Sequence, residues 1–196
     1  MTRFVLASGS QIRRLVLEGA GVPFDVIRPD VDEAAIKAER SELSPSDMAL
    51  CLGQEKALDV SRRVPDALVL GADQTMELEG QLLDKLPRAD LARERLTAMR
   101  GRPHHLHAGL ALAQGGETVW THRASSAIHV RDFSDEFLDD YIARAGDALT
   151  ASVGAYAYEG LGAQLFERVD GDYYAILGLP LLPVLAELRS RGVIAS

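Results

Sequence analysis

Residues 68–86 read LVLGADQTMELEGQLLDKL, with one acid, Asp73, at the end of an apolar run that contains Gly71. A carboxylate fixed at the end of a core strand can bind Mg²⁺ or take a proton from water. The same residue type also starts hairpins as an Asx-turn acid. In SGSQIRR, residues 8–14, Arg13 and Arg14 fall in the first turn of an expected helix, whose dipole already presents positive charge there. A phosphate resolves that conflict, because the free N–H groups of the turn, the Ser8 and Ser10 hydroxyls and two guanidiniums converge on one anion. The ordinary alternative is Ser10 as an N-cap with solvated or surface-paired arginines.

Further charged residues extend the candidate chemistry. The chain has only three lysines, Lys37, Lys56 and Lys85, and Lys85 lies across the expected hairpin from the Asp73 end. A compact ammonium suits a phosphate oxygen there, as does Lys56 in QEKA; a solvated lysine is the plain alternative for each. Glu33, in VDE, is a candidate second carboxylate, since Mg²⁺ takes one or two carboxylates plus phosphate oxygens. Glu159 sits in a glycine-rich run where backbone can approach a ligand closely. The histidines at 104, 105, 107, 122 and 129 suggest zinc only superficially: His105 and His107 share a strand face, His104 does not, and no cysteine joins them.

The elements that must position these residues read as mixed α/β. Residues 3–7 form a strand, followed by a helix with Ile12, Leu15, Val16 and Gly19 on one face. A strand at 24–28 leads into the acidic loop 29–33, and SPSD at 44–47 opens a helix ending near Arg63. Residues 67–72 form a strand, and 76–83 turn at Glu79-Gly80 as a hairpin. The helix ADLARERLTAM comes next, then a long antiparallel pair turning at Gly115-Gly116. Ser134 caps a helix bearing Phe137, Leu138, Tyr141 and Ile142 that ends at Gly146. Residues 154–178 read as strands joined by glycines, and LPLLPVLAELRSRG closes as a helix with Pro180 or Pro183 in its first turn.

Composition bounds the class. A chain of 196 residues, 47% of them hydrophobic, supports one globular domain over 1–196 with one substantial core. The formal charge of -8 opposes binding to a nucleic-acid polymer. The longest apolar stretch, near 176–188, is too short for a bilayer and is broken by Pro180 and Pro183. Cys51 has no second cysteine to pair with, and the apolar stretch near the N-terminus is too short for a signal peptide, so a cytoplasmic location is expected.

Taken in order, LASGSQIRR, VDE, QEKA, GADQ, Lys85 twelve residues after Asp73, GAYAYEG and GLPL run from about Phe4 to about Arg189. This series resembles the Maf-type nucleoside triphosphate pyrophosphatases. The resemblance implies one α/β domain of two lobes around a twisted mixed sheet, similar to the inosine triphosphatases, with the active cleft between the lobes and a homodimer as the common assembly. It implies a divalent cation, Mg²⁺ or Mn²⁺, and cleavage of a nucleoside triphosphate to monophosphate and pyrophosphate. It assigns Asp73 as the catalytic aspartate, Glu33 as the acidic metal or water ligand, Lys85 as the lysine of the glycine-lysine-proline motif, and Ser8, Ser10, Arg13 and Arg14 as the phosphate loop. On that basis metal ions are expected to bridge the triphosphate to Glu33 and Asp73, with Lys56 joining Arg13, Arg14 and Lys85 in neutralising the phosphates.

Gln74 and Glu159, where most members carry threonine and glutamine, resemble the subgroup acting on 7-methyl-GTP. A carboxylate accepts from guanine N–H groups, whereas a glutamine amide both gives and accepts, as uracil or thymine requires. Ile12 departs from that subgroup, which has an aromatic there. Asp84-Lys85-Leu86-Pro87 departs from the family's glycine-lysine-proline, and Ser152 stands in place of a common lysine. The alternatives are the dTTP and UTP subgroup, an inosine-nucleotide activity, and a nucleotide-binding regulator of cell division with little catalysis.

Overall fold

Strand β1 (Phe4–Ala7) is apolar and buried at every position because both of its faces are covered. The computed structural model, which describes residues 2–195, continues with α1 (Gln11–Gly19), β2 (Asp25–Val26), α2 (Glu33–Glu39), α3 (Pro45–Arg63) and β3 (Leu68–Leu78). After β4 (Gln81–Leu83) and a 3₁₀ turn come α4 (Ala92–Met99), β5 (Pro103–Gln114) and β6 (Glu117–Val130). The chain closes with α5 (Asp135–Ala145), α6 (Ala148–Ala151), a second 3₁₀ turn, β7 (Phe166–Asp170), α7 (Tyr173–Ile176) and α8 (Leu181–Ser190). The strands form one mixed seven-stranded sheet in the order β2-β1-β3-β5-β6-β7, with β4 on β3. β1 is parallel to β2 and β3, whereas β4 and β7 are antiparallel to β3 and β6.

By its internal contacts the chain divides into two compact units. The first comprises residues up to Gln74, His107–Ser125 and those from Asp172 onward; the second comprises Thr75–Leu106 and Ser126–Gly171.

In the first unit, strand alternation sorts the core. Phe4, Leu6, Leu68, Leu70, Ala72, Leu110 and Leu112 pack with Val16 and Leu17 of α1 and Leu181, Val184 and Leu188 of α8. Val5, Ala7 and Val69 pack instead with Val60 of α3, and Ala111 and Ala113 with Ala57. Each fully buried leucine of this set contributes about 2 kcal/mol by leaving water. Helix α3 lies unusually near the sheet. A Cβ on Gly71 would stand 2.2 Å from the Gly53 carbonyl oxygen, one on Gly53 2.5 Å from the Gly109 oxygen, and one on Gly109 2.2 Å from the Leu50 nitrogen. No side chain fits at these three positions without moving backbone.

The second unit buries Met76, Leu96, Met99, Ile128, Leu138 and Tyr141. His104 and Tyr156 lie beside Phe166, with Tyr156 edge-on to it at a centroid distance of 4.8 Å. The hairpin expected at Glu79-Gly80 forms, with φ of 52° and 82° at the two turn residues, as does the one at Gly115-Gly116, with 60° and 81°. Both pairs have the two positive φ angles that match the strand twist.

Several expectations need correction. Strand β3 runs without a break from Leu68 to Leu78, so Asp73 lies mid-strand and begins no turn. Polar residues there are tolerated because their partners are buried with them. The acidic loop ends in a helix: Asp32 accepts from the Ala35 N–H as N-cap, and Glu33 opens α2. Strand β2 keeps only Asp25 and Val26 of the five residues expected. Leu15 is 50% exposed, and Leu17 takes the inward place in α1 expected of it. Residues 154–178 contain one strand, β7, among turns and short helices. Just before them Ser152 closes a turn, its hydroxyl giving to the Tyr156 carbonyl and accepting from the Tyr156 N–H.

Candidate active site

Asp73 and Gln74 are neighbours on one strand, so their side chains leave opposite faces of the sheet. Asp73 shares the face of Val69 and Gly71, toward α3; Gln74 shares that of Leu70 and Ala72. Because α3 sits close over Gly71, Lys56 reaches Asp73 directly. Its Nζ donates to Asp73 Oδ1 at 2.5 Å and pairs with Glu33 Oε1 at 2.7 Å. The Lys56 and Asp73 side chains are only 9% and 11% exposed, whereas Glu33 is 47% exposed, so the cluster is dry at one end and open at the other.

The phosphate-loop residues lie in the same unit. Ser8, directly after β1, is buried, and its Oγ accepts from the Ser10 N–H at 3.1 Å and from Arg13 Nη1 at 3.4 Å. Ser10 is the N-cap of α1, its Oγ accepting from the Arg13 N–H. Both hydroxyls thus shape the turn. Arg13 donates through Nε to the Gly178 carbonyl at 2.9 Å. Burial lowers its pKa from the usual value, and the charges of Asp73 and Glu33 oppose that shift. Two carboxylates therefore face the ammonium of Lys56 and, at longer range, the guanidinium of Arg13.

The other expected residues divide. Arg14 is exposed and pairs with Glu18 at 2.7 Å, the surface alternative for this residue. Its side chain also lines a surface cavity of about 380 Å³ with Ser8, Gly9, Ser10, Leu15 and Arg28. Ile12 is half-buried against the core of the first unit. Lys85 and Glu159 belong to the second unit, where both are exposed, Lys85 after β4 and Glu159 in the turn next to Tyr158.

Three features escaped sequence reading. Arg28 lines the cavity beside Arg14, with no motif to mark it. Lys56 holds the two carboxylates as a pair, where only a phosphate contact was expected of it. The small residues Ala49, Gly53 and Ala57, spaced four apart on α3, announce its close approach to the sheet, and that spacing was the available signal.

The model for Maf-like proteins matches residues 3–191. The chain belongs to the Maf family. Among its Maf relatives, a protein of Maricaulis maris (strain MCS10) named nucleoside triphosphate pyrophosphatase is 69% identical over 194 residues, 99% of each chain. One of the same name from Caulobacter vibrioides (strain ATCC 19089 / CIP 103742 / CB 15) is 45% identical, covering 99% of this chain and 98% of its own. A Brucella abortus biovar 1 (strain 9-941) protein named 7-methyl-GTP pyrophosphatase is 43% identical over 98% of each. Among the described residues, no helix of this Maf protein is long and apolar enough to cross a membrane.

Proposed function

We propose that this protein hydrolyses the α–β phosphoanhydride of a nucleoside triphosphate, releasing monophosphate and pyrophosphate. The observation that carries this reading is the meeting of Asp73, Glu33 and Lys56 under helix α3, with Arg13 and Ser8 in the same unit. Relatives bearing the names of that activity match the chain over nearly its whole length.

The residues fit a divalent cation. Glu33 and Asp73 converge on one point, now held by the Lys56 ammonium, and offer the hard oxygen donors that Mg²⁺ or Mn²⁺ selects. Among the described residues no group of three or more acids, histidines or cysteines is placed to hold a metal. Two carboxylates plus substrate phosphate oxygens make up the kind of set Mg²⁺ ordinarily takes. Bound there, the cation supplies charge neutralisation along the triphosphate.

The chain's own residues supply the rest. Asp73 accepts the proton of a water whose oxygen forms a bond to the α-phosphorus while the bond to the bridging oxygen breaks. Pyrophosphate leaves carrying that oxygen. Arg13, Arg14, Lys56 and Lys85 balance the charge of the phosphates, Arg13 with its geometry fixed before substrate arrives. Glu159 reads the base, and a carboxylate there favours a guanine carrying a positive charge, as 7-methyl-GTP does. We place the reaction in the cytoplasm, in a homodimer, as housekeeping of the nucleotide pool.

The test is a panel of canonical and methylated triphosphates with Mg²⁺ or Mn²⁺, scoring both products. Equal release of monophosphate and pyrophosphate, highest with 7-methyl-GTP, is expected. Glu159→Gln should shift preference toward dTTP and UTP. Release of inorganic phosphate alone, or nucleotide binding without turnover under both metals, would overturn the reading.

A further inference from the structure

Gln74 stands beside the catalytic aspartate, but its amide is already committed. Its Nε2 donates to the carbonyl oxygens of Ala175 at 2.9 Å and Ile176 at 3.0 Å. Two carbonyl acceptors dictate which end of the amide faces them, because only the nitrogen carries hydrogens. Those carbonyls lie in the last turn of α7, a helix of four residues whose other end is held by Asp172 accepting from the Ala175 N–H. A single helical turn has little stability of its own, and Gln74 shares its end with two backbone bonds, from the Gly178 N–H to the Ala175 carbonyl and from the Leu179 N–H to the Tyr174 carbonyl.

The cap on α7 fixes where the chain turns next. Leaving the helix through Leu177, the backbone reverses at Gly178 with φ of 82°, a left-handed conformation suited to glycine. The Gly178 carbonyl then accepts from Arg13 Nε at 2.9 Å. The space is tight as well: an added Cβ would stand 3.3 Å from Arg13 Nη2, so the guanidinium would have to give by a few tenths of an ångström, and in ordinary contact with Gln74 Cδ at 3.6 Å. Arg13, Gly178 and Gln74 are thus packed against one another.

We infer that Gln74 is a positioning residue for the phosphate-binding arginine: its amide fixes the end of α7, and through the Gly178 carbonyl it sets the direction of the Arg13 guanidinium. This deepens the pyrophosphatase reading and rests on Arg13 meeting phosphate. Both N–H groups of its amide are spent on the protein, so the part of its effect that runs through Arg13 falls on the phosphates, which every substrate shares.

The experiment uses the full chain with Mg²⁺ and compares the unmodified protein with Gln74→Met, which keeps the volume but has no donor. KM for each triphosphate of the panel should rise by one common factor of about tenfold, the effect of one or two lost hydrogen bonds. The order of base preference should stay as it was. Inorganic pyrophosphate, measured by calorimetry, should bind more weakly by a similar factor. Gln74→Glu should be worse, since it sets a carboxylate oxygen against two carbonyl oxygens, and Gly178→Ala should weaken pyrophosphate binding without touching the Gln74 amide. A KM change confined to one base, with pyrophosphate binding unmoved, would overturn the inference, as would unchanged KM and unchanged pyrophosphate binding in a folded Gln74→Met. Failure of the unmodified protein to release pyrophosphate would instead sink the pyrophosphatase reading, leaving Gln74 to be judged by the calorimetry alone.

Discussion

Lys56 with Asp73, in the first unit, and His104 with Tyr156, in the second, are both buried polar pairs joined by one short hydrogen bond, of 2.5 and 2.7 Å. The first is an ion pair with Glu33 at its open end; the second is neutral. Burial drives the His104 pKa from its usual 6.5 to about 3, with the neighbouring His105 and His129 adding to the effect, and it raises that of the Tyr156 phenol. His104 Nδ1 is buried without a hydrogen-bond partner among the described residues. A buried charge survives where an opposite charge and an exit to solvent come with it; lacking both, a titratable group gives up its charge. The first arrangement keeps its charges beside an opening to solvent, and the second ties Tyr156 to β5 through its hydroxyl.

The largest test of that contrast is Asp73→Asn, which keeps shape and removes charge. Turnover should fall about 10³-fold or more while the thermal unfolding curve stays cooperative, since the group that receives the proton in the proposed reaction is gone. Full activity in this variant would remove Asp73 from the chemistry.

Next in size is Lys56→Met. It strands Asp73 in a nearly dry position, which should cost about 3 kcal/mol in denaturant unfolding, the low end for a broken buried pair because Glu33 is partly solvated. Adding Asp73→Leu should restore most of the loss, because an apolar pair needs no compensation. A single variant as stable as the parent would show that the ion pair is not what makes Asp73 tolerable there.

The smallest effect concerns the neutral pair. Between pH 6.5 and 3 the unfolded chain binds a proton at residue 104 that the folded chain refuses. The stabilising contribution is full above pH 6.5 and is lost as pH falls, with a slope of at most about 1.4 kcal/mol per pH unit. His104→Gln should remove that slope, so unfolding free energies at pH 6.5 and 5 should converge for the variant and diverge for the parent. Parallel pH profiles would place the proton elsewhere.

The two regions also differ in how far they could be read from sequence. The residues of the ion cluster were legible, because Asp73, Glu33, Lys56 and Arg13 stand in ordered motifs with chemical reasons to be charged. Their pairing was not. Which carboxylate a lysine meets depends on how near α3 lies to β3, and that distance is set by Gly53, Gly71 and Gly109, far apart in the chain. Strands with regular alternation and helices with caps, such as α3 behind Ser44 and α5 behind Ser134, were found at or near their ends. The region after Gly154 misled because its glycines serve close approach: Gly162 leaves no room for a Cβ 2.5 Å from the Ala157 oxygen. Glycine content alone does not separate such contacts from strand turns.

The three glycines where α3 meets the sheet carry a consequence for the lysine as a tool. A lysine side chain is long and flexible, and on an exposed helix its ammonium wanders through many rotamers. Here its reach is metered by main chain: the helix lies so near the sheet that the butyl stem is buried and its ammonium arrives at Asp73. The accuracy of the most mobile side chain at the site is therefore stored in three positions that have no side chain, and adding a single methyl there would detune it without altering any residue that meets substrate.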